Sequence, residues 1–428
     1  MAGNIPTYNL KAVIHETGLT AATLRAWERR YGLLKPQRSA GGHRLYTQAD
    51  IEMLKWLQER QAEGLSISHA VELWRSQEEA AAQHAPVGTA FQMPEGEDAS
   101  MMDGLRRHWI NACLAFDEPA AELALSQAMA IATPEVVCKD LLQKGLAELG
   151  EGWYAGKVSV QQEHFASALT ARRLHALLAA APKPTRPGRV LAACPPGEAH
   201  DLALLMLTFI LRWRGWDVVY LGANVPLARL DETLKSTSPR LMLSVAQTLP
   251  GVSALSELAD FLNLQQVPVA YGGGIFGQIP ELVERVPGYF LGYDLSAVPQ
   301  VLERLLKNPP ALPVPPPLSP EYITAMAGFQ EKEGLIASKV QVALQDGSVN
   351  LRHLEEANLN LSRAILSALR LGDIRFLDHS VGWLNGLLEN YGLSPELADQ
   401  YYSAFRQAVQ QLPKSGAQSL LNLGICQL

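Results

Sequence analysis

Between residues 189 and 306 the apolar pattern changes period, and that change limits the fold more than any other feature of the chain. Four short β-branched or apolar runs, RVLAAC, DVVYLG, LMLSVA and VPVAYGG, alternate with helical segments at about 198–214, 226–236, 252–264 and 279–285. Strands alternating with helices indicate a doubly wound parallel α/β sheet, whose ligands bind beyond the carboxyl ends of the strands. Small residues stand at those ends: Gly222 in LGANVP, Ser244 in LMLSVA, and Gly272 and Gly273 in YGGGIF. They leave room for something bulky over the sheet edge. The stretch ACPPGEAHDLALLML places Glu198 and His200 just after the first strand, at the start of a helix. A lone histidine there is often a surface or capping residue, but the small strand ends around it favour a ligand site.

The rest of the chain divides around this segment. With 428 residues it is too long for one compact core. Residues 101–181 read as a four-helix bundle, with runs such as ELALSQAMAIA and CKDLLQKGLAELGEGW at helical spacing and Pro119 and Pro134 near helix starts. Residues 77–100 read as a flexible linker, 182–306 as the α/β domain, 307–320 (KNPPALPVPPPLSP) as a proline-rich spacer, and 321–428 as an all-α domain. The fold class expected is therefore multidomain, α and α/β. No apolar run is long enough for a membrane span, so no membrane partner is expected. Cys113, Cys138, Cys194 and Cys426 are widely spaced without metal-like pairing, which points to reduced thiols in a cytoplasmic protein.

Net charge is −7, yet residues 1–76 carry ten Lys or Arg against seven Asp or Glu. The local basic patch between 25 and 44 is of the kind that meets phosphates. Within it, LKAVIHETGL reads as a first helix, Thr20 as the cap of TAATLRAWERRYG, and PQRSAGGHRLY as a basic hairpin with a Gly-Gly turn. The sequence TLRxWERRYGL, followed by GGHRLYTxxDI and the helix IEMLKWLQERQAEGLSI, resembles the MerR-type winged helix-turn-helix over residues 7–76. That resemblance implies double-stranded operator DNA as partner and a dimeric reader. It makes Thr23, Arg25 and Tyr31 on the recognition unit, and Arg38, His43, Arg44 and Tyr46 on the wing, candidate DNA contacts. Leu24 and Trp27 are expected in the core.

Glu198, His200, Ser244, Gly272 and Gly273 together resemble the cobalamin-binding α/β domain, with Glu and Ala203 where that family has Asp and Gly. The resemblance implies His200 as lower axial cobalt ligand, Glu198 as acceptor for its other ring nitrogen, and a nucleotide tail beside Gly222, Ser244 and the Gly-Gly turn. Ahead of it, WYAGKVSVQQEH sets Trp153 nine residues before Glu163 and His164, with Ser159 and Gln162 forming a capping box. The order of these modules resembles the CarH/LitR family of light-responsive repressors over residues 7–306. It implies that Trp153, Glu163 and His164 enclose the upper 5′-deoxyadenosyl group of adenosylcobalamin. It further implies a homo-oligomer, dimer or tetramer, that holds DNA in the dark and releases it when light breaks the cobalt–carbon bond. Tyr154 stands where that family often has a histidine able to ligate cobalt after illumination, leaving His164 and His175 as the nearest histidines in sequence.

The last domain carries His353, His379, Trp383, Tyr391, Tyr401, Tyr402 and Phe405, which suit either a packing or oligomerisation domain or a second pocket for a bilin such as biliverdin. A light-indifferent cobalamin sensor and a corrinoid methyltransferase part are the rival functions. The second leaves residues 7–76 without a role, and no catalytic barrel is evident, so a non-enzymatic regulator is expected. Arg44→Ala should weaken operator binding, measured by anisotropy, while leaving the cobalamin absorption spectrum alone.

Overall fold

The computed structural model describes residues 8–21, 23, 24, 27, 31, 34, 37, 38, 44–62, 67, 71, 95–344, 351–378, 395–412 and 423. The chain forms two compact units, Met1–Gln92 and Met93–Leu428. Among the described residues, no helix is long and apolar enough to cross a membrane.

In the first unit, β1 (Tyr8–Asn9) leads into α1 (Leu10–Thr17). Asn9 caps α1 by accepting from the Ala12 N–H, and Gly18 ends it at φ 68°, a left-handed turn suited to glycine. Thr20 accepts from the Thr23 N–H at 3.1 Å and so caps the following turn. β2 (Gln37–Arg38) and β3 (Arg44–Tyr46) pair antiparallel with Arg38 opposite Arg44, and β1 completes the sheet in the order β1-β3-β2. α2 (Gln48–Ala62) follows. Val13, Leu24, Trp27, Leu34, Ile51, Leu54 and Leu57 form the core. Tyr46 is 1 % exposed in that core, so its ring supports the wing from behind, which corrects its assignment as a DNA contact.

The second unit opens with four helices: α3 (Glu95–Leu114), α4 (Glu118–Ile131), α5 (residues 134–154) and α6 (Val160–Ala179). α3 begins at Glu95, inside the segment expected to be linker, because the acidic run there suits the positive end of a helix as well as it suits a loop. Asp117 caps α4 through the Ala120 N–H, with Pro119 in the first turn. Within α5, Val137–Gln143 widens to a π-helix, and the Asp140 carbonyl accepts from Arg106 Nη1 at 2.9 Å.

The sheet has five strands rather than four: β4 (Arg189–Ala193), β5 (Asp217–Gly222), β6 (Leu241–Val245), β7 (Val269–Gly272) and β8 (Tyr289–Phe290). They are parallel throughout in the order β5-β4-β6-β7-β8. β8 escapes a periodicity search because two residues have no period to read. The connecting helices are α7 (Leu202–Trp213), α8 (Leu230–Thr237) and α9 (Leu249–Leu264), and α10 (Val298–Lys307) follows the last strand. The helix expected at 279–285 is a one-turn helix, Ile275–Gln278, then a 3-10 turn, Pro280–Arg285, since Pro280 has no N–H with which to continue the first.

α7 and α10 cover one sheet face through Leu204, Leu207, Leu211, Val298 and Leu302. α8 and α9 cover the other. α7 (LALLMLTFILRW) is apolar nearly all round because it is buried twice: Leu205, Met206, Phe209 and Ile210 turn outward into the bundle core. Ion pairs Glu135–Arg214 and Lys139–Asp294 (3.0 Å) border that seam. Past the proline spacer, where Tyr289 donates to the Pro310 carbonyl at 2.8 Å, lie α11 (Pro320–Ala343), α12 (Leu351–Leu371) and α13 (Pro395–Gln410). They share one buried cluster with α9, including Phe329, Ile336, Ile365, Leu369 and Phe405. The outer helix layers thus meet the bundle on one side and the C-terminal helices on the other. Phe209→Ala should empty the bundle seam and lower stability by about 3–5 kcal/mol, read as a drop in the denaturation midpoint of the full chain.

Candidate functional site

The strand order reverses around β4. Connections from β4 and β6 leave in opposite directions, and a crevice opens between their carboxyl ends. From β4 the chain passes Gly197, at φ 80°, into Glu198 and His200 before α7 starts. Both residues therefore sit in the turn ahead of the helix rather than within it. The Glu198 side chain is 1 % exposed and uses both oxygens. Oε1 accepts from His200 Nδ1 at 2.6 Å and from the His200 N–H at 3.1 Å. Oε2 accepts from the Gln247 N–H at 2.8 Å and more weakly from Thr248 Oγ1 at 3.4 Å. Gln247 and Thr248 follow β6, so this carboxylate bridges the crevice.

Burial alone would raise the Glu198 pKa, but the donors from His200 and Gln247 outweigh it and hold the carboxyl below its ordinary value. The hydrogen bond to Glu198 raises His200 above its ordinary value, against desolvation, and Glu163 and Asp201 add to the rise. The His200 side chain is 66 % exposed. With the Nδ1 proton committed to Glu198, the Nε2 lone pair is free to bind a metal. Beside it, Cys194 is buried and its thiol is pushed up to about 12, chiefly by burial, so it stays protonated and does not compete.

Along the same edge, Ser244 is 1 % exposed and its Oγ has no hydrogen-bond partner. A buried hydroxyl without a partner is rare and costly, and it points to a polar group that belongs there. Val245 pairs in register with Gly272. Gly273, at φ 135°, lies so close to the Ala246 backbone that a Cβ would meet its carbonyl oxygen at 1.8 Å. A Cβ at Gly272 would meet nothing within 4 Å, which leaves open space in front of the strand. Gly222 ends β5 at φ 87°. An exposed imidazole, an orphaned buried hydroxyl and a glycine-lined opening fit a corrinoid with an extended tail.

At the bundle's end, Trp153 lies in the last turn of α5 and Glu163 in the first turn of α6, across a short turn that contains Gly156 at φ 65°. Ser159 and Gln162 make the full capping box, and Gln162 also donates to the Leu114 carbonyl at 2.7 Å. Glu163 accepts from Ser167 Oγ at 2.7 Å, and its other oxygen lies 3.0 Å from His164 Nδ1. α6 shares its buried core with α7, the helix that follows His200, so both helices belong to one packed layer. Trp153 is half-buried, while Tyr154 and His164 are exposed. His175, further along α6, sets its ring edge-on to Tyr220 at 6.1 Å.

Several members of this site give little sign in the sequence. Tyr220 donates to Asp201 Oδ2 at 2.6 Å, tying the residue after His200 to β5. Gln247, Thr248 and Gly251 surround the far oxygen of Glu198. Only Thr248 left a signal, a threonine two residues before Pro250, as at a helix start.

In the first unit, Thr23 and Tyr31 are half-buried, and the Thr23 hydroxyl lies 2.8 Å from that of Thr20. Arg44 is half-buried on β3. Arg25 and His43 lie outside the described residues, as do His379, Trp383 and Tyr391 of the C-terminal domain. Tyr401, Tyr402 and Phe405 are buried in that domain's core, where Tyr401 donates to Asn358 at 2.9 Å.

Residues 8–77 match the MerR HTH family regulatory protein family, and residues 105–178 and 188–302 match two families each described as B12 binding domain. The chain is 34 % identical over 235 residues to the HTH-type transcriptional repressor CarH of Myxococcus xanthus, covering 54 % of this chain and 76 % of that protein. It is 32 % identical over 272 residues to the HTH-type transcriptional repressor CarA of the same organism, covering 62 % and 86 %. Similarity to the methanol–corrinoid protein of Methanosarcina barkeri is lower, 26 % over 125 residues, covering 29 % of this chain and 48 % of that one. Glu198→Ala should release the His200 ring and weaken cobalamin binding about 10–100-fold, measured by absorption titration in the dark.

Proposed function

The chain belongs to the family of MerR-type, cobalamin-binding transcriptional repressors that includes CarH and CarA, and we propose that it is a light-released repressor that holds its operator in the dark as an adenosylcobalamin-bound oligomer. The observation that carries this reading is the placing of Trp153, Glu163 and His164 at one end of a bundle whose core continues into α7, the helix after His200. A binder of cobalamin from below needs only the α/β edge. A half-buried indole with a carboxylate and an imidazole across one helix–helix turn suits a purine-bearing upper group, with a π-face and polar atoms to recognise.

Bound adenosylcobalamin supplies a cobalt–carbon bond that visible light breaks. His200 anchors the metal through Nε2 while Glu198 fixes the ring tautomer. The hydroxyl of Ser244 and the open backbone at Gly272 and Gly273 receive the tail. Trp153, Glu163 and His164 hold the upper group. Since α6 packs on α7, and α7 starts directly after His200, a change in what the bundle end holds is passed to the seam between bundle and sheet. The response is then a population shift, limited by the difference in cofactor affinity between the two assemblies. DNA release follows from loss of the oligomer that pairs the readers.

The test is operator binding and molecular mass of the adenosylcobalamin-loaded protein, in darkness and after green illumination. Operator affinity should fall at least about 5-fold, within the usual range of allosteric coupling, together with a change in mass. Unchanged binding would leave a sensor of cobalamin level, and a protein that takes up no corrinoid would end the reading altogether.

A further inference from the structure

We infer that Gly251, in the first turn of α9, is a positioning residue for the histidine loop: its missing side chain makes the space in which Glu198 reaches across the crevice to α9 while holding His200. A Cβ built at Gly251 would lie 2.2 Å from Glu198 Oε2 and 3.2 Å from its Cδ. Its next neighbour, Thr248 Oγ1 at 3.1 Å, needs to give by only a few tenths of an ångström. The carboxylate has no such freedom. It is buried, and Oε2 is held by the Gln247 N–H at 2.8 Å and by Thr248 Oγ1 at 3.4 Å, while Oε1 is held by His200. Any side chain at 251 therefore evicts the carboxylate from the α9 cap and turns it away from the imidazole.

Glycine here is not explained by the backbone. Gly251 is absent from the positive-φ glycines, and as the third residue of a helix capped by Thr248 it sits where alanine is the better helix former. What excludes alanine is the length of Glu198. Aspartate is shorter by one methylene, which withdraws the carboxylate by about 1.5 Å and removes the overlap. Glu198 and Gly251, 53 positions apart, are thus one steric unit. The pair also joins the histidine loop to α9, whose hydrophobic cluster continues into the C-terminal helices.

This inference rests on His200 as the cobalt ligand for its functional half, and the test separates the two halves. The wild type, G251A, E198D and the E198D/G251A double variant are compared in the full chain, by denaturation midpoint without cofactor and by adenosylcobalamin titration in the dark. Ligation is read from the electron paramagnetic resonance of the cob(II)alamin complex with ¹⁵N-histidine. In the Glu198 background, G251A should lower the midpoint, weaken cobalamin binding at least 10-fold and remove the histidine nitrogen splitting. In the E198D background, the same substitution should raise or preserve the midpoint and change affinity less than 3-fold. If G251A alone fails to fold and the double variant folds, the steric unit is supported equally. Equal damage in both backgrounds, or none in either, overturns it. A wild type with no histidine splitting would instead refute cobalt ligation by His200, while the midpoints still decide the steric claim.

Discussion

The arrangement of this protein depends on one buried carboxylate. Glu198 has no solvent to satisfy it, so each of its oxygens must find donors in the fold, and the donors come from two different strand ends. Desolvation of an unpaired carboxylate would be prohibitive, which makes the conformation of the loop after β4 and of the cap of α9 mutually dependent. The imidazole is oriented as a by-product of this satisfaction. A histidine that is two-thirds exposed is held in one tautomer because the group beneath it has nowhere else to go.

Around that point the sheet acts as a divider between two helical layers. α7 is buried on both of its sides, against the sheet and against the bundle, and α9 shares a hydrophobic cluster with the C-terminal helices. The two helices begin immediately after the two segments that Glu198 joins. Close-packed layers do not deform continuously, so a rearrangement at the crevice is passed on as a shift of whole helices. The C-terminal domain is therefore packed into the same body as the cofactor edge. Its buried tyrosines and Phe405 have a structural use in that core.

Much of this was legible in the chain because it is encoded locally. Strand–helix alternation, the capping box of Ser159 and Gln162, the cap at Thr20 and the burial of Leu24 and Trp27 each follow from residue type at fixed short spacing. Where local signals were too short or ambiguous, the reading departed from the structure. β8 spans two residues, α3 starts in an acidic stretch that reads equally as linker, and Tyr46 shares a strand face with Arg44 two positions earlier, so period alone does not reveal its burial.

The sequence by itself determined the order of the modules, the parallel character of the sheet and the presence of a histidine with a carboxylate two residues before it at a strand end. Only tertiary structure decided that the second oxygen of that carboxylate crosses to the Gln247 amide, that Ser244 is left with an unanswered hydroxyl, and that Tyr220 holds Asp201. The reason is separation along the chain. Caps and periods act over three or four residues, whereas these partners lie 19 to 49 positions apart and meet only because the sheet brings its strand ends to one edge.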